Sequence, residues 1–100
     1  MAKISHTAET NDKIRQAGDF GPGTQNPLHV TPGVQALGDD AIAALYTDIM
    51  TYNQFTPDID PSGQHDLGVL HFGDVEVWFK IDPGSAPDSR VFTLLLPEEY

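Results

Sequence analysis

The stretch 58-DIDPSGQHD-66 places four oxygen-bearing side chains, Asp58, Asp60, Ser62 and Asp66, at the spacing that opens a calcium loop, with Gly63 at its sharp-turn position. Hard cations need such clustered oxygens. With Asp58 as position one, Asp60, Ser62 and Asp66 match positions three, five and nine. Position twelve, where a calcium loop carries a bidentate Glu, is Val69, so binding would need a further acid such as Asp82. The same residues also make a turn without any ion, because Asp before Pro and a Ser-Gly pair bond their side chains to nearby backbone. Turn chemistry is the preferred reading, with Asp58, Asp60, Ser62 and Asp66 the ligands of any divalent ion, calcium first.

Hydrolysis by this loop is the competing chemistry. Ser62, His65 and Asp66 could be drawn as a triad, yet sequence neighbours such as His65 and Asp66 point apart in extended backbone, and no nucleophile elbow or oxyanion loop accompanies them. His6 and His29 are isolated, no H-E-x-x-H spacing is present, and His71 reads as a cross-strand partner of Glu76. The preferred reading is therefore a non-enzymatic protein without a cofactor. A divalent-metal or hydrolytic module on Asp58, Asp60, His65 and Asp66 is the alternative.

Charge is the most unusual global property, with fifteen acids against five bases and a formal net charge of −10. Between Gln16 and Phe79 there are nine acids and no Lys or Arg. Nucleic-acid affinity rests on cations that neutralise phosphates, so direct DNA or RNA binding is disfavoured and a basic protein surface or nucleoprotein complex is the expected partner. Solubility alone is the plainer use of the same charge. Cysteine is absent, which removes disulfides, thiolate metal sites and thiol nucleophiles together. The start MAKISHTAETNDK lacks the apolar run of a signal peptide, and no apolar segment approaches the ~18–20 residues that span a bilayer. A soluble, cytoplasmic protein is expected.

The elements that must position these residues fit one small domain over residues 1–100, with no internal repeat. Ser5 to Ala17 has helix-compatible composition and stops at Gly18, but Ile14 is almost its only strong apolar residue, which predicts a peripheral helix. The Gly/Pro-rich 20-FGPGTQNP-27 predicts a loop, followed by a short extended piece at Leu28–Val30. A second helix is predicted from about Asp40 to Asn53, capped by Asp39 or Asp40, with Ile42, Leu45, Ile49 and Tyr52 as its apolar stripe.

Beyond the acidic loop, 67-LGVLHF-72 and 75-VEVWFKI-81 flank Gly73-Asp74, a pair suited to a two-residue hairpin. That turn pairs Phe72 with Val75, Leu70 with Val77 and Gly68 with Phe79 on an apolar face with Ile81, where the second helix should pack. His71 with Glu76, Val69 with Trp78 and Leu67 with Lys80 fall on the other face. A third strand, 90-RVFTLLL-96, adds Leu95 and Val91 to that second face, making it too apolar for plain solvent contact. Either the first helix or the 20–27 loop covers it, or Trp78 anchors a partner or homodimer surface. The predicted class is α+β, two helices on a three- to four-stranded antiparallel sheet.

The run 55-FTPDIDPSGQHDLGVLHFGDVEVWFKID-82, the ending 91-VFTLLLPEEY-100 and T-P-G-V-x-A-L at Thr31–Leu37 together resemble a bacterial family catalogued as domain of unknown function 3768. The chain departs from that pattern at Leu67, where the motif has Phe, and in a shortened 83-PGSAPDS-89. The resemblance implies no activity. It implies genes carried on chromosomal islands, plasmids and phage-like elements, where a short acidic protein would serve as an anti-CRISPR or anti-restriction inhibitor. Asp39, Asp40, Asp48, Asp58 and Asp60 would then supply phosphate-like charge to a basic channel, beside Trp78.

Overall fold

A computed structural model of the chain describes residues 6–100. Its elements in chain order are α1 (His6–Ala17), β1 (Leu28–Val30), α2 (Pro32–Gln35), α3 (Asp39–Thr51), β2 (Leu67–Phe72), β3 (Val75–Pro83), β4 (Arg90–Leu95) and a 3-10 turn at Pro97–Glu99. Ser5, the expected first helical residue, lies outside the described residues. The fold is α+β.

Of the two residues that join β2 to β3, Gly73 alone has a positive φ, 59°, the pattern of a type II′ hairpin turn. The register that follows pairs Phe72 with Val75, Leu70 with Val77, Gly68 with Phe79 and Val69 with Trp78, as the alternation of side chains predicts. β4 runs antiparallel to β3, with Leu94 opposite Phe79 and Leu95 opposite Trp78. The sheet order is β1-β4-β3-β2.

Two parts of the expected architecture need correction. The sheet is mixed, because β1 pairs with β4 in parallel through Leu28, His29 and Val30. A three-residue strand carries no signal of its direction, and here a long crossover through α3 and the hairpin brings the two strands together in parallel. The structure also has three helices among the described residues, since Pro32–Gln35 forms one turn with proline at its start.

α3 begins one residue earlier than expected. Its N-cap is Gly38, φ 98°, with no side-chain cap, so Asp39 and Asp40 act by complementing the positive helix end rather than by capping it. Leu45 and Ile49 are fully buried and Tyr52 is nearly so, against Leu70, Val77, Phe79 and Ile81 of the predicted apolar face and Phe92 and Leu94 of β4. Burying each large apolar side chain contributes roughly 1.5–3 kcal/mol. This layer is the core.

The Gly/Pro-rich segment closes the same core from one end. Phe20 stacks between Tyr46 and Phe92, with ring centroids 4.3 Å apart on each side. The Tyr46 hydroxyl lies 2.6 Å from the Gly18 carbonyl and 2.8 Å from that of Phe20 and shares its single proton between them. Buried Asn26 donates to Asp19 O at 2.8 Å and accepts from Arg90 N at 2.7 Å. The loop and α1 therefore pack on the core side, and neither covers Trp78 as expected.

The C-terminal residues meet that second face instead. Trp78 is half-buried, contacts the Tyr100 ring edge to face at 5.6 Å, and donates from Nε1 to Glu76 at 2.8 Å. Glu99 ties the final turn to α2, accepting from the Thr31 hydroxyl, Leu96 N and Gly33 N. The Thr31 hydrogen bond first, then the backbone donors, hold the Glu99 carboxyl below its ordinary range.

Candidate functional site

α3 has no basic residue in its last turn, so its terminal carbonyls need donors from elsewhere. Arg15 of α1 supplies them. Its Nη1 donates to Tyr52 O at 2.6 Å, Ile49 O at 2.9 Å and, at longer range, Met50 O at 3.4 Å. Arg15 is 1% exposed, and its guanidinium pairs through Nη2 with Asp12 at 3.0 Å and lies 5.3 Å from the centre of the Phe55 ring. Positive charge thus sits at the negative end of α3, the favourable sense for a helix dipole.

Asp12 carries the network onward to the acidic loop. Its carboxylate meets His65 Nδ1 at 2.9 and 3.1 Å, and the imidazole stacks on Phe55 at 4.2 Å with the rings 1° from parallel. A carboxylate only accepts, so Nδ1 carries the proton and Nε2 is the open ring nitrogen. His65 has φ 55°, a left-handed conformation that non-glycine residues seldom adopt, and Asp60 Oδ2 accepts from its backbone N–H at 3.0 Å. The partner of His65 is therefore Asp12, fifty-three positions away, and not the adjacent Asp66.

The 56–66 loop is a hydrogen-bonded turn. Ile59 N and Asp60 N donate to Thr56 O at 3.1 and 2.7 Å, and Gly63 N, at a φ of 70°, donates to Asp60 O at 3.1 Å. Asp58, Ser62 and Asp66 line a cleft of about 440 Å³ with Lys80, Asp82 and Tyr100. Asp60 is not with them: it is 6% exposed and turned inward, and its Oδ1 has no hydrogen-bond partner. Among the described residues no group of three or more His, Cys, Asp or Glu is arranged to hold a metal ion. The nearest extra acid, Asp82, is engaged with Lys80 Nζ at 3.4 Å.

Asp66 titrates above the ordinary carboxylate range, chiefly because burial penalises its charge, then because Asp60 and Asp82 repel it. A raised folded-state value means that the folded chain holds the proton more tightly than the unfolded one. Stability contributed by this group is full at low pH and falls as pH rises from about 3.8 through the folded-state value. Asp66→Asn is accordingly expected to melt higher than the parent chain at pH 7. The two curves should converge below pH 3.8, and a variant that melts lower at pH 7 would rule out the electrostatic penalty.

Other expected contact residues divide by exposure. Asp39, Asp40 and Asp58 are exposed, Asp48 and Trp78 are half-buried, and Asp60 is withdrawn from any surface by the His65 contact. His71 lies opposite Glu76 as expected, 3.9 Å between charged atoms, and both are exposed.

The residues that organise the site were outside the candidates. Asn11 donates to Gln64 O at 3.0 Å and accepts from Arg90 Nε at 2.8 Å. Ala8, Asn11, Ile14 and Arg15 are the buried residues of α1, and their spacing of three and four is that of one helix face. Such a face, half of it polar through Asn11 and Arg15, was a legible signal for a helix held by hydrogen bonds. The expected peripheral helix is thus tied to α3, to the 56–66 loop and to β4.

A protein-family description, protein of unknown function (DUF3768), matches residues 30–90. The match spans α2, α3, the acidic loop and the hairpin, and α1 lies before it. No curated protein and no solved structure matches the chain.

Proposed function

The chain belongs to the DUF3768 family of proteins of unknown function, and from that premise we propose that it is a small acidic interaction protein whose partner presents a basic surface. The observation that carries this reading is where the charges lie. Arg15 and Arg90 are buried and Lys80 is paired with Asp82, whereas Asp60 is the one acid buried among the described residues. The surface is therefore more uniformly negative than the formal net charge of −10 conveys. Asp39 and Asp40 on the first turn of α3, with Asp48 along the helix and Asp58 on the loop, are the carboxylates offered to the partner.

Among basic partners, the phosphate-binding channel of a nucleic-acid-guided defence complex fits this charge, with exposed carboxylates in place of phosphates. Binding of that kind is salt-sensitive and slows when rim charges are removed. The chain should be captured by such a complex stripped of nucleic acid, and by immobilised polyarginine, at low salt. Converting Asp39 and Asp40 together to Asn should weaken capture about tenfold at low salt, two screened contacts of roughly 0.5–1 kcal/mol each, and change little at high salt. Absence of binding to either probe at low salt would refute the reading, and equal binding by the double variant would move the interface away from α3.

A further inference from the structure

Arg90 is 8% exposed, yet its hydrogen bonds go to neutral acceptors only: Nε to Asn11 Oδ1 at 2.8 Å, and Nη1 to Ser89 O at 2.8 Å and Pro87 O at 3.0 Å. Among the described residues no carboxylate lies within ion-pair distance of it, and the five residues before them contain no acid. Arg15, the other buried arginine, has Asp12. A buried cation without a counter-ion is costly unless a negative group reaches it.

The guanidinium lines a cavity of about 190 Å³ between α1, the acidic loop and the segment that follows β3, with Thr7, Asn11, Gln64, Asp66 and Ile81 among its walls. Arg90 Nη2 makes no hydrogen bond within the described chain and is the donor left for a bound molecule. Asp66 supplies the opposite charge. No ion pair joins its carboxylate to Arg90, although both residues line the same cavity, so each charge is left for a bound molecule. One water needs about 10–15 Å³ of such space, so the cavity has room for a small organic molecule.

A simple anion would be repelled by a chain of net charge −10, and a simple cation would leave Arg90 unpaired. A molecule with both charges and no net charge meets neither objection. We propose that this cavity binds a small zwitterion, an α- or β-amino acid, with its carboxylate on Arg90 Nη2 and its ammonium group on Asp66. Thr7 and Gln64 are further polar residues that line the cavity. This site is independent of the acidic-partner reading, and either can fail without the other.

The test is a nuclear magnetic resonance titration of the whole chain with glycine and β-alanine, with acetate and methylammonium as arms that carry one charge each. Saturable shifts are expected at the Arg90 Nε–H and at the amides of Asn11, Gln64 and Ile81, with acetate and methylammonium at least about tenfold weaker, the loss of one charged contact. Arg90 also anchors Asn11 and Pro87, so its own variants risk misfolding; Asp66→Asn keeps shape and removes the charge. That variant should bind the amino acids about tenfold more weakly with its spectrum otherwise native. Linear, unsaturated shifts would overturn the proposal, as would acetate matching glycine with no effect of Asp66→Asn.

Discussion

Replacing Arg15 with methionine is expected to remove about 3–5 kcal/mol of unfolding free energy, the usual result of deleting one member of a buried charged network. Two effects oppose the loss. Methionine needs no desolvation of charge, and Arg15 Nε, which has no partner, disappears with it. The carbonyls decide the balance: Tyr52 O loses its donor at 2.6 Å, Ile49 O loses one at 2.9 Å and keeps only the long contact from Tyr52 N at 3.4 Å, and a buried polar group left alone costs about 1–3 kcal/mol. Asp12 is then left with His65 only. Because domains of this size have about 5–15 kcal/mol in total, the urea midpoint should fall steeply with the slope unchanged. Arg15→Lys should recover less than half, since one ammonium cannot span the α3 carbonyls and Asp12 at once. A loss under about 1 kcal/mol for methionine would mean that water caps α3 and that the pair is worth no more than an exposed one.

The hairpin was readable from its letters because two independent signals agree there. Gly73-Asp74 sets the turn, the alternation from Leu67 to Ile81 sets the faces, and the observed pairs follow from both. α3 was readable for the same reason, a stripe at helical period behind acids suited to its N-terminus. β1 was not: three residues have too short a period to show a direction, and their pairing with β4 depends on contacts more than sixty positions apart.

The organisation around His65 was hidden for a different physical reason. Metal and triad patterns look for neighbouring acids, and they point to Asp66, whereas the folded chain brings Asp12 to Nδ1 from α1 and turns Asp60 inward to hold the His65 backbone. Side-chain hydrogen bonds across such separations leave no periodic trace. The trace that does exist is the buried Ala8, Asn11, Ile14 and Arg15 face, which a search for apolar residues passes over. Trp78 likewise sits under Tyr100, and nothing in β3 or β4 alone indicates that partner.

Gly68→Ala tests how closely the predicted register is packed. The observed pairing puts Gly68 opposite Phe79, and a Cβ there would overlap two carbons of the Phe79 ring and come within 2.9 Å of Tyr52 Cε2. Phe79 is fully buried and meets Tyr52 edge to face at 5.2 Å, so its ring has no free space to enter. Alanine would by itself favour a strand over glycine by roughly 0.5–1 kcal/mol through chain entropy. Overpacking of a tight core costs about 1–3 kcal/mol and wins here, giving a net loss on the order of 1–2 kcal/mol in chemical denaturation. Shortening the opposed ring separates this cause from a backbone effect. Phe79→Leu alone should destabilise by leaving a cavity, while Gly68→Ala combined with Phe79→Leu should be more stable than the sum of the two losses by at least about 0.5 kcal/mol, because the methyl enters the space the ring vacates. Strict additivity would show that the two residues do not share that space, and the face assignment on which the core rests would have to be redrawn.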